Sequence, residues 1–273
     1  MAIQTVHSAK TDIGLKRQHN EDRYLADPVL GLYVVCDGMG GGNAGEVASA
    51  LAIDTIKDHI QRVSQSSACM TGESNQNFAP ATIQLGQAIH AANSAIHRAS
   101  WANPSQAGMG TTVVAVRFSG MTLSVAHVGD SRLYVIRRGS IEALTIDHSW
   151  VAEQVQQGLM TEAEAECSPK RNIVTRALGV ESTVDIELSE FSPLDGDRFL
   201  LCSDGLTRGV RPQDILHVID SVDDPDVAAH RLIAMANAAG GEDNTTVLLV
   251  KIQGAQSHRR WTHWLKAWYP KAS

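Results

Sequence analysis

The sequence predicts an α+β fold in which two antiparallel β-sheets pack face to face and helices cover their outer faces, an αββα sandwich. The predicted elements run in the order strands, paired helices, a strand meander, a helical segment, and then strand, helices and strand. This order lacks the regular alternation of strand and helix that a doubly wound parallel sheet requires. Short links between successive strands favour antiparallel pairing instead.

The first half of the chain predicts three strands and a pair of helices. A loosely alternating stretch at 5–11, a short stretch at 23–26 and the apolar run 32–36 are typical of strands. Apolar residues at helical spacing predict core-facing helices over 45–63 and 81–100. The polar segment between these helices predicts a surface loop.

The second half of the chain predicts the meander, a helical flap and the closing elements. A helical stretch, a glycine turn and an acidic run interrupt the strands at 147–179, which predicts a surface helical hairpin. The remaining predicted elements are strands at 111–118, 122–128, 132–137, 198–202 and 245–250, and helices at 212–221 and 225–239.

The composition is typical of a soluble globular protein with a sizeable core, with 43% hydrophobic and 19% charged residues. The net charge of −7 disfavours a nucleic-acid partner. The four cysteines show no C-x-x-C spacing, and Cys36 and Cys202 lie in apolar strands. We therefore expect free buried thiols and a cytoplasmic protein. The sequence predicts no signal peptide and no membrane-spanning stretch.

Four aspartates stand at the ends of predicted strands. Asp37 follows the strand at 32–36 and begins a glycine run, so we expect the chain to turn sharply there. Asp130 and Asp204 follow two further strands, and Asp243 precedes the last strand. Gathered carboxylates raise one another's pKa unless a cation neutralises them, and all-oxygen ligands favour Mg²⁺ or Mn²⁺. Taken alone, the first of these aspartates is equally typical of an ordinary Asp-Gly turn.

Five motifs follow one another along the chain and together resemble the metal-dependent protein phosphatases of type 2C, the PPM family, in its bacterial form. They are Asp37-Gly38-Met39-Gly40, Gly108-Met109-Gly110-Thr111-Thr112, His127-Val128-Gly129-Asp130-Ser131-Arg132, Ser203-Asp204-Gly205 and Asp243-Asn244. The resemblance extends from about Thr5 to about Ile252. It implies an enzyme of bacterial signalling that hydrolyses phosphoserine and phosphothreonine in the protein substrates of a Ser/Thr kinase.

The resemblance also implies a role for each of the motif residues. Asp37 would be catalytic and would bridge two Mn²⁺ or Mg²⁺ ions, with the Gly38 carbonyl on one ion and Asp204 and Asp243 on the other. Asp130 would help to bind a third ion. A hydroxide between the metals would attack phosphorus, and no phosphoenzyme would be required.

Three residues near the N-terminus match further positions of the family pattern. Arg17 would be catalytic because its guanidinium fork would hold the phosphoryl oxygens. By itself, Arg17 is typical of a solvated surface arginine. Glu21 and Asp22 would reach the metals through water.

The chain departs from the family pattern at Gly42, where many bacterial members have a histidine that could protonate the leaving group. Without it, another donor or a metal-bound water would supply the proton, or turnover would be slow. His19 and His148 lie nearby in the motifs, although His148 is more typical of a structural residue. An alternative function is a catalytically weak phosphatase fold that binds phosphoproteins. A nucleotide-binding loop is disfavoured because no Gly-Lys-Ser/Thr follows the glycine run.

We expect a catalytic domain at 1–254 and a basic, tryptophan-rich tail at 255–273. Trp261, Trp264 and Trp268 would line one face of a helix in that tail. Such a tail either packs on its own domain or docks a protein partner or an anionic membrane surface.

Overall fold

The computed structural model describes residues 3–41, 44–65 and 78–254, which form a two-sheet sandwich with helices on its outer faces. Gly42 and the tail at 255–273 lie outside the described residues. Within the described ranges, no helix is long and apolar enough to cross a membrane.

The elements of the structure follow the predicted order. The strands are β1 (Gln4–Asp12), β2 (Asp22–Asp27), β3 (Leu32–Met39), β4 (Gly110–Thr111), β5 (Val113–Ser119), β6 (Thr122–Val128), β7 (Arg132–Arg137), β8 (Ser140–Ala143), β9 (Glu187–Phe191), β10 (Arg198–Cys202) and β11 (Thr245–Gln253). The helices are α1 (Ala44–Gln65), α2 (Pro80–Ala102), α3 (Trp150–Gln156), α4 (Glu162–Glu166), α5 (Asp204–Thr207), α6 (Pro212–Ser221) and α7 (Pro225–Ala238).

Two antiparallel sheets form the centre of the molecule. The first sheet has the strand order β1-β11-β10-β7-β8. The second has the order β2-β3-β5-β6-β9, and the short strand β4 pairs with β3. Helices α6 and α7 cover the first sheet, and α1 and α2 cover the second. The predicted αββα sandwich is therefore confirmed.

Apolar side chains form three layers in this sandwich. The facing sides of the two sheets meet around Tyr33, Phe199 and Leu248. A second layer includes Ile56 and Ile89 and lies between the helical pair α1–α2 and its sheet. A third joins α6 and α7 to the other sheet. Because the central strands are covered on both faces, their sequences are nearly continuous apolar runs.

The predicted antiparallel pairing of the strands at 122–128 and 132–137 is wrong. Strand β6 pairs with β5 and β9, whereas β7 pairs with β10 and β8 in the other sheet. The three-residue link between them crosses the sandwich instead of forming a hairpin. Gly129 in this link has a φ of +111°, and a Cβ there would lie only 2.6 Å from the Thr112 side chain. Glycine therefore permits the crossing.

The predicted sharp turn at Asp37 is also wrong, because β3 continues through Asp37 to Met39. The short strand β4 supplies the backbone partner for this extension, with Gly38 opposite Thr111 and Met39 opposite Gly110. The glycines on both sides allow two backbones to run close together where the prediction placed a turn.

Three short elements were not predicted, namely β8, β9 and α5. Strands β8 and β9 lie at the sheet edges and have no fully buried residue, so they lack the apolar runs that identify the central strands. Helix α5 begins at Asp204 and is only four residues long, too short to show helical periodicity.

Candidate metal centre

The structure brings the four predicted aspartates together at one end of the sandwich. Asp37 lies near the end of β3, Asp130 in the link between β6 and β7, Asp204 at the start of α5, and Asp243 just before β11. Burial, followed by the negative charges of Asp22 and of the other three aspartates, raises the pKa of Asp37 well above its usual value. Asp22 lies opposite Asp37 in the pairing of β2 with β3, and Arg208 contacts both Asp204 and Asp243, so these residues form one cluster.

The glycine–threonine motif ahead of β5 fixes the backbone of Asp37. Thr112 donates its amide to the Asp37 carbonyl at 2.8 Å, and its hydroxyl accepts the Asp37 amide at 3.0 Å. The Thr111 hydroxyl donates to the same carbonyl at 2.9 Å. Thr112 also shares a 2.7 Å hydrogen bond with Ser131, the residue after Asp130. The motif thus positions Asp37 relative to Asp130.

Gly38 lies too close to neighbouring backbone for any larger residue. A Cβ at this position would overlap the carbonyl oxygen of Gly45 and lie 2.7 Å from that of Glu21. The Glu21 carbonyl accepts hydrogen bonds from the Gly38 amide at 3.2 Å and from the Ser49 hydroxyl at 2.6 Å. This close packing places the Glu21 segment beside the glycine run.

Asp22 is fully buried and links the two sheets. Its Oδ2 accepts hydrogen bonds from the hydroxyls of Ser203 and Thr246, each at 2.7 Å, which belong to the other half of the sandwich. Burial raises the pKa of Asp22 to about 7, because the charged form loses its hydration. A water-mediated role toward metals stays a prediction for this residue, whereas its connection between the sheets is directly observed.

Buried oxygens with no partner are the strongest sign of a cation site. Glu21 Oε1, Asp22 Oδ1 and Asp204 Oδ1 are buried and have no hydrogen-bond partner among the described residues. Buried polar atoms are nearly always bonded, so water or a cation would satisfy these oxygens. Burial, then the charges of neighbouring aspartates, also raises the pKa of Asp130 to about 7. The donors are all oxygens, so the residues fit Mg²⁺ or Mn²⁺.

Two arginines lie among these carboxylates and hold Asp243. Arg17 places Nε 2.9 Å from Asp243 Oδ1 and Nη2 2.9 Å from Oδ2. Arg208 places Nη1 2.7 Å from Asp243 Oδ2 and contacts Asp204 through Nη2. The Arg17 side chain is 49% exposed, so it lies at the rim of the cluster. The structure therefore places Arg17 at the predicted site, where its guanidinium group pairs with the carboxylate of Asp243.

Arg208 was not among the predicted site residues. Its signal in the sequence is its position four residues after Asp204, a spacing that places two side chains on the same helical face. The helix that creates this spacing, α5, was itself not predicted.

The segment from Cys202 to Arg208 also has the C-x₅-R spacing of cysteine-dependent phosphatases. The structure does not support a cysteine nucleophile at this position. Cys202 is fully buried in β10, and burial raises the pKa of its thiol to about 12. The reactive form of cysteine is the thiolate, and this thiol is protonated at neutral pH. The arginine of the pair is held by aspartates instead.

The predicted flap at 147–179 is anchored beside the cluster at both of its ends. At its start, Asp147 accepts two hydrogen bonds from Arg132, at 2.8 and 2.7 Å. At its end, Leu178 exchanges two backbone hydrogen bonds with Thr111, at 2.8 and 3.1 Å. Since Thr111 also holds the carbonyl of the central aspartate, the flap and the cluster share one backbone framework.

Comparison with known proteins identifies the relatives of this chain. A family model described as Protein phosphatase 2C matches residues 16–250. The chain is 37% identical over 248 residues to the serine/threonine protein phosphatase PstP of Mycobacterium tuberculosis, covering 90% of this chain and 45% of that protein. It is 36% identical over 253 residues to the serine/threonine phosphatase stp of Listeria monocytogenes, covering 92% of this chain and 97% of that protein. The chain thus spans under half of the first relative and nearly all of the second.

A solved structure shares the fold described above. It is the catalytic domain of the serine/threonine protein phosphatase PstP in complex with two manganese ions, and it superposes with a TM-score of 0.80 at 34% sequence identity. The match covers 93% of this chain and 100% of that one. On the family match over most of its length and on these relatives, the chain belongs to the protein phosphatase 2C family.

Proposed function

We propose that this chain is a protein phosphatase that hydrolyses phosphoserine and phosphothreonine with the help of two Mn²⁺ or Mg²⁺ ions. The observation that carries the proposal is the cluster of buried and half-buried carboxylates around Asp37, three of whose oxygen atoms are buried and have no partner among the described residues. The phosphatase activity named for the relatives and the two manganese ions of the PstP structure support the same assignment.

In this proposal the residues of both sheets hold the ions. Asp37 and the Gly38 carbonyl lie on β3, and Asp204 and Asp243 approach from the other sheet. Asp130 would serve a third, weaker site. When bound, the ions supply the positive charge that activates water and stabilises the phosphoryl group.

Glu21 and Asp22 would support the ions from the outside. The Glu21 carboxylate has one buried oxygen without a partner, and Asp22 has another. The hydroxyls of Ser203 and Thr246 orient Asp22 through its second oxygen. These contacts would restrain the cluster before any substrate arrives.

Arg17 would bind the phosphoryl group at the rim of the centre. Its guanidinium is a planar fork that matches phosphate oxygens in a bidentate manner. In the structure this fork is bonded to both oxygens of Asp243. Substrate binding would therefore exchange at least part of that ion pair for contacts with phosphate.

The proposed substrates are proteins phosphorylated by a Ser/Thr kinase in bacterial signalling. We further propose that the tail at 255–273 docks a protein partner or an anionic membrane surface through its tryptophans and basic residues. Ending the chain at Gly254 should then abolish co-sedimentation with the partner or with anionic vesicles and leave the melting temperature unchanged.

The test of the activity is phosphate release from a phosphothreonine peptide in EDTA, in Mg²⁺ and in Mn²⁺. The proposal predicts release with at least one of the two ions and none in EDTA. Peptide binding without release under every condition would favour the phosphoprotein-binding module. Undiminished release in EDTA would contradict the metal-dependent mechanism.

A further inference from the structure

Both backbone polar groups of Gly129 are bonded to one residue, His148. The His148 amide donates to the Gly129 carbonyl at 2.7 Å, and the Gly129 amide donates to Nδ1 of His148 at 3.1 Å. Gly129 is buried, immediately precedes Asp130, and has the positive φ described above. His148 therefore holds the backbone of the residue that precedes Asp130.

The same histidine is bonded to the end of the flap. Its carbonyl accepts the Thr175 amide at 2.8 Å, and the next residue, Ser149, forms a backbone bridge with Val174. The side chain of His148 is only 9% exposed, so it is surrounded by other residues. His148 thus connects the start and the end of the flap to the link that carries Asp130.

The hydrogen bonds indicate which ring nitrogen of His148 carries the proton. A backbone amide only donates, so Nδ1 accepts from Gly129 and a neutral ring is protonated at Nε2. Glu187 Oε2, a carboxylate acceptor, lies 3.5 Å from Nε2. Arg176 Nη1 also lies 3.1 Å from Nε2, but this side chain is partly exposed and has the Asp185 carbonyl at 3.5 Å. An arginine only donates, so the assigned tautomer requires this partly exposed side chain to turn away from Nε2, whereas the buried Gly129 amide keeps Nδ1.

A metal bound to His148 Nε2 would conflict with this tautomer. His127, His148 and Glu187 each place a ligand atom within 4.8 Å of the others, as a metal site would. A metal on Nε2, the nitrogen nearest Glu187, would move the ring proton to Nδ1. That proton would then face the Gly129 amide, donor against donor. Both ring nitrogens of His127 are buried and have no hydrogen-bond partner among the described residues, so this conflict concerns the coordination of a metal by His148 alone.

We propose that His148 is a positioning residue that couples the flap to Asp130, because its Nδ1 holds the Gly129 amide and so sets the place of the Asp130 carboxylate. The proposal rests on the proposed function only in taking Asp130 as a ligand of the weaker metal site. Outer residues that orient metal ligands typically contribute about 10- to 100-fold to metal affinity.

The test is a calorimetric titration of the full chain with Mn²⁺, without substrate, for wild type, Asp130→Asn, His148→Asn and His148→Gln. Asparagine places an acceptor oxygen where Nδ1 lies, whereas the longer glutamine cannot. We expect the weakest Mn²⁺-binding phase to be absent in Asp130→Asn. The Mn²⁺ affinity of this phase should fall about 10- to 100-fold in His148→Gln and stay near the wild-type value in His148→Asn. Equal loss in both histidine variants, no loss in either, or a wild type without an Asp130-dependent phase would overturn the proposal.

A second measurement uses the wild-type protein and does not depend on the folding of His148→Gln. Long-range ¹H–¹⁵N spectra of the labelled chain report the tautomer of each histidine ring, and the His148 signals are those absent in His148→Asn. We expect a neutral ring protonated at Nε2. Protonation at Nδ1, or at both nitrogens at neutral pH, would overturn the proposal. Since neither measurement uses phosphate release, a failure of the phosphatase assignment would be separately visible.

Discussion

Nη1 of Arg208 lies 2.7 Å from Oδ2 of Asp243, while the same guanidinium group contacts Asp204. Burial raises the pKa of Asp204, and the positive charge of Arg208 opposes that rise. Arg208 thus supplies positive charge to two predicted metal ligands from within the chain. A fixed cation and a divalent ion on the same carboxylates repel each other, so the arginine should weaken metal binding.

Arg208→Ala should therefore tighten Mn²⁺ binding by about tenfold, which corresponds to ~1.4 kcal/mol. In EDTA the same variant should melt at a lower temperature, because removing one partner leaves buried carboxylates unpaired. Calorimetric titration and thermal unfolding check the two effects. Arg211→Ala is the matched control, since Arg211 pairs with Asp214 on the surface. Weaker or unchanged Mn²⁺ affinity in Arg208→Ala would show that Arg208 orients the aspartates instead.

Arg17→Ala should raise KM for a phosphothreonine peptide, because the fork that grips the phosphoryl group is removed. The expected loss in the free energy of substrate binding is about 1.5–3 kcal/mol, which is typical of hydrogen bonds to charged groups. A fall in kcat as well would indicate that the grip tightens in the transition state. Steady-state kinetics measure both constants, and Lys16→Ala serves as the neighbouring control. Kinetics equal to wild type would leave Arg17 as a partner of Asp243 alone.

Gly42→His should restore a proton donor where the family pattern has one. The variant should hydrolyse phosphoserine peptides faster, because an alkoxide leaving group needs protonation. An activated aryl phosphate needs little protonation and should respond weakly. Comparing kcat for the two substrates tests this expectation. Equal effects on both substrates, or no effect on either, would mean that another donor already protonates the leaving group.

The raised pKa of Asp22 should make the metal-free protein less stable as the pH rises. Burial raises this pKa from 3.8 to about 7, so the folded state binds the proton more tightly than the unfolded chain. The stabilising contribution is complete below the unfolded value and is lost as the pH rises through the folded one. For a single proton, the free energy of unfolding falls by up to ~1.4 kcal/mol per pH unit between these values.

Thermal unfolding in EDTA across that range measures the slope. Asp22→Asn keeps an acceptor for Ser203 and Thr246 but does not titrate, so its melting temperature should vary less with pH. A slope equal to that of wild type would show that other carboxylates carry the dependence.

Much of the fold could be predicted because its central elements have strong local patterns. The bounds of β7, β10 and α6 agree with the prediction, since apolar runs and a proline at the helix start mark them directly. The pairing of β6 with β7 could not be predicted from link length. A three-residue link containing Gly129 can form a hairpin or cross from one sheet to the other. Only the packing of the core between the sheets favours the crossing.

The gathering of the four aspartates could be predicted from the sequence, but the contacts around them could not. The aspartates were found because motif order and strand ends both mark them. Arg208 and the bonding of Arg17 to Asp243 depend on side chains from distant segments and on a helix of four residues. The contacts of His148 with Gly129 likewise join the flap to a link in the sandwich. Such relationships arise from tertiary packing and leave no local signal.

The central claim is that the carboxylate cluster around Asp37 binds the ions that make this chain a phosphatase. Mn²⁺-dependent phosphate release by wild type and by Asp37→Asn, after EDTA treatment, tests it most directly. Wild type should regain activity as Mn²⁺ is added, whereas Asp37→Asn should stay lower by more than the roughly 100-fold that loss of an outer partner causes. Full activity of wild type in EDTA, or equal Mn²⁺-dependent rates for the two proteins, would contradict the claim.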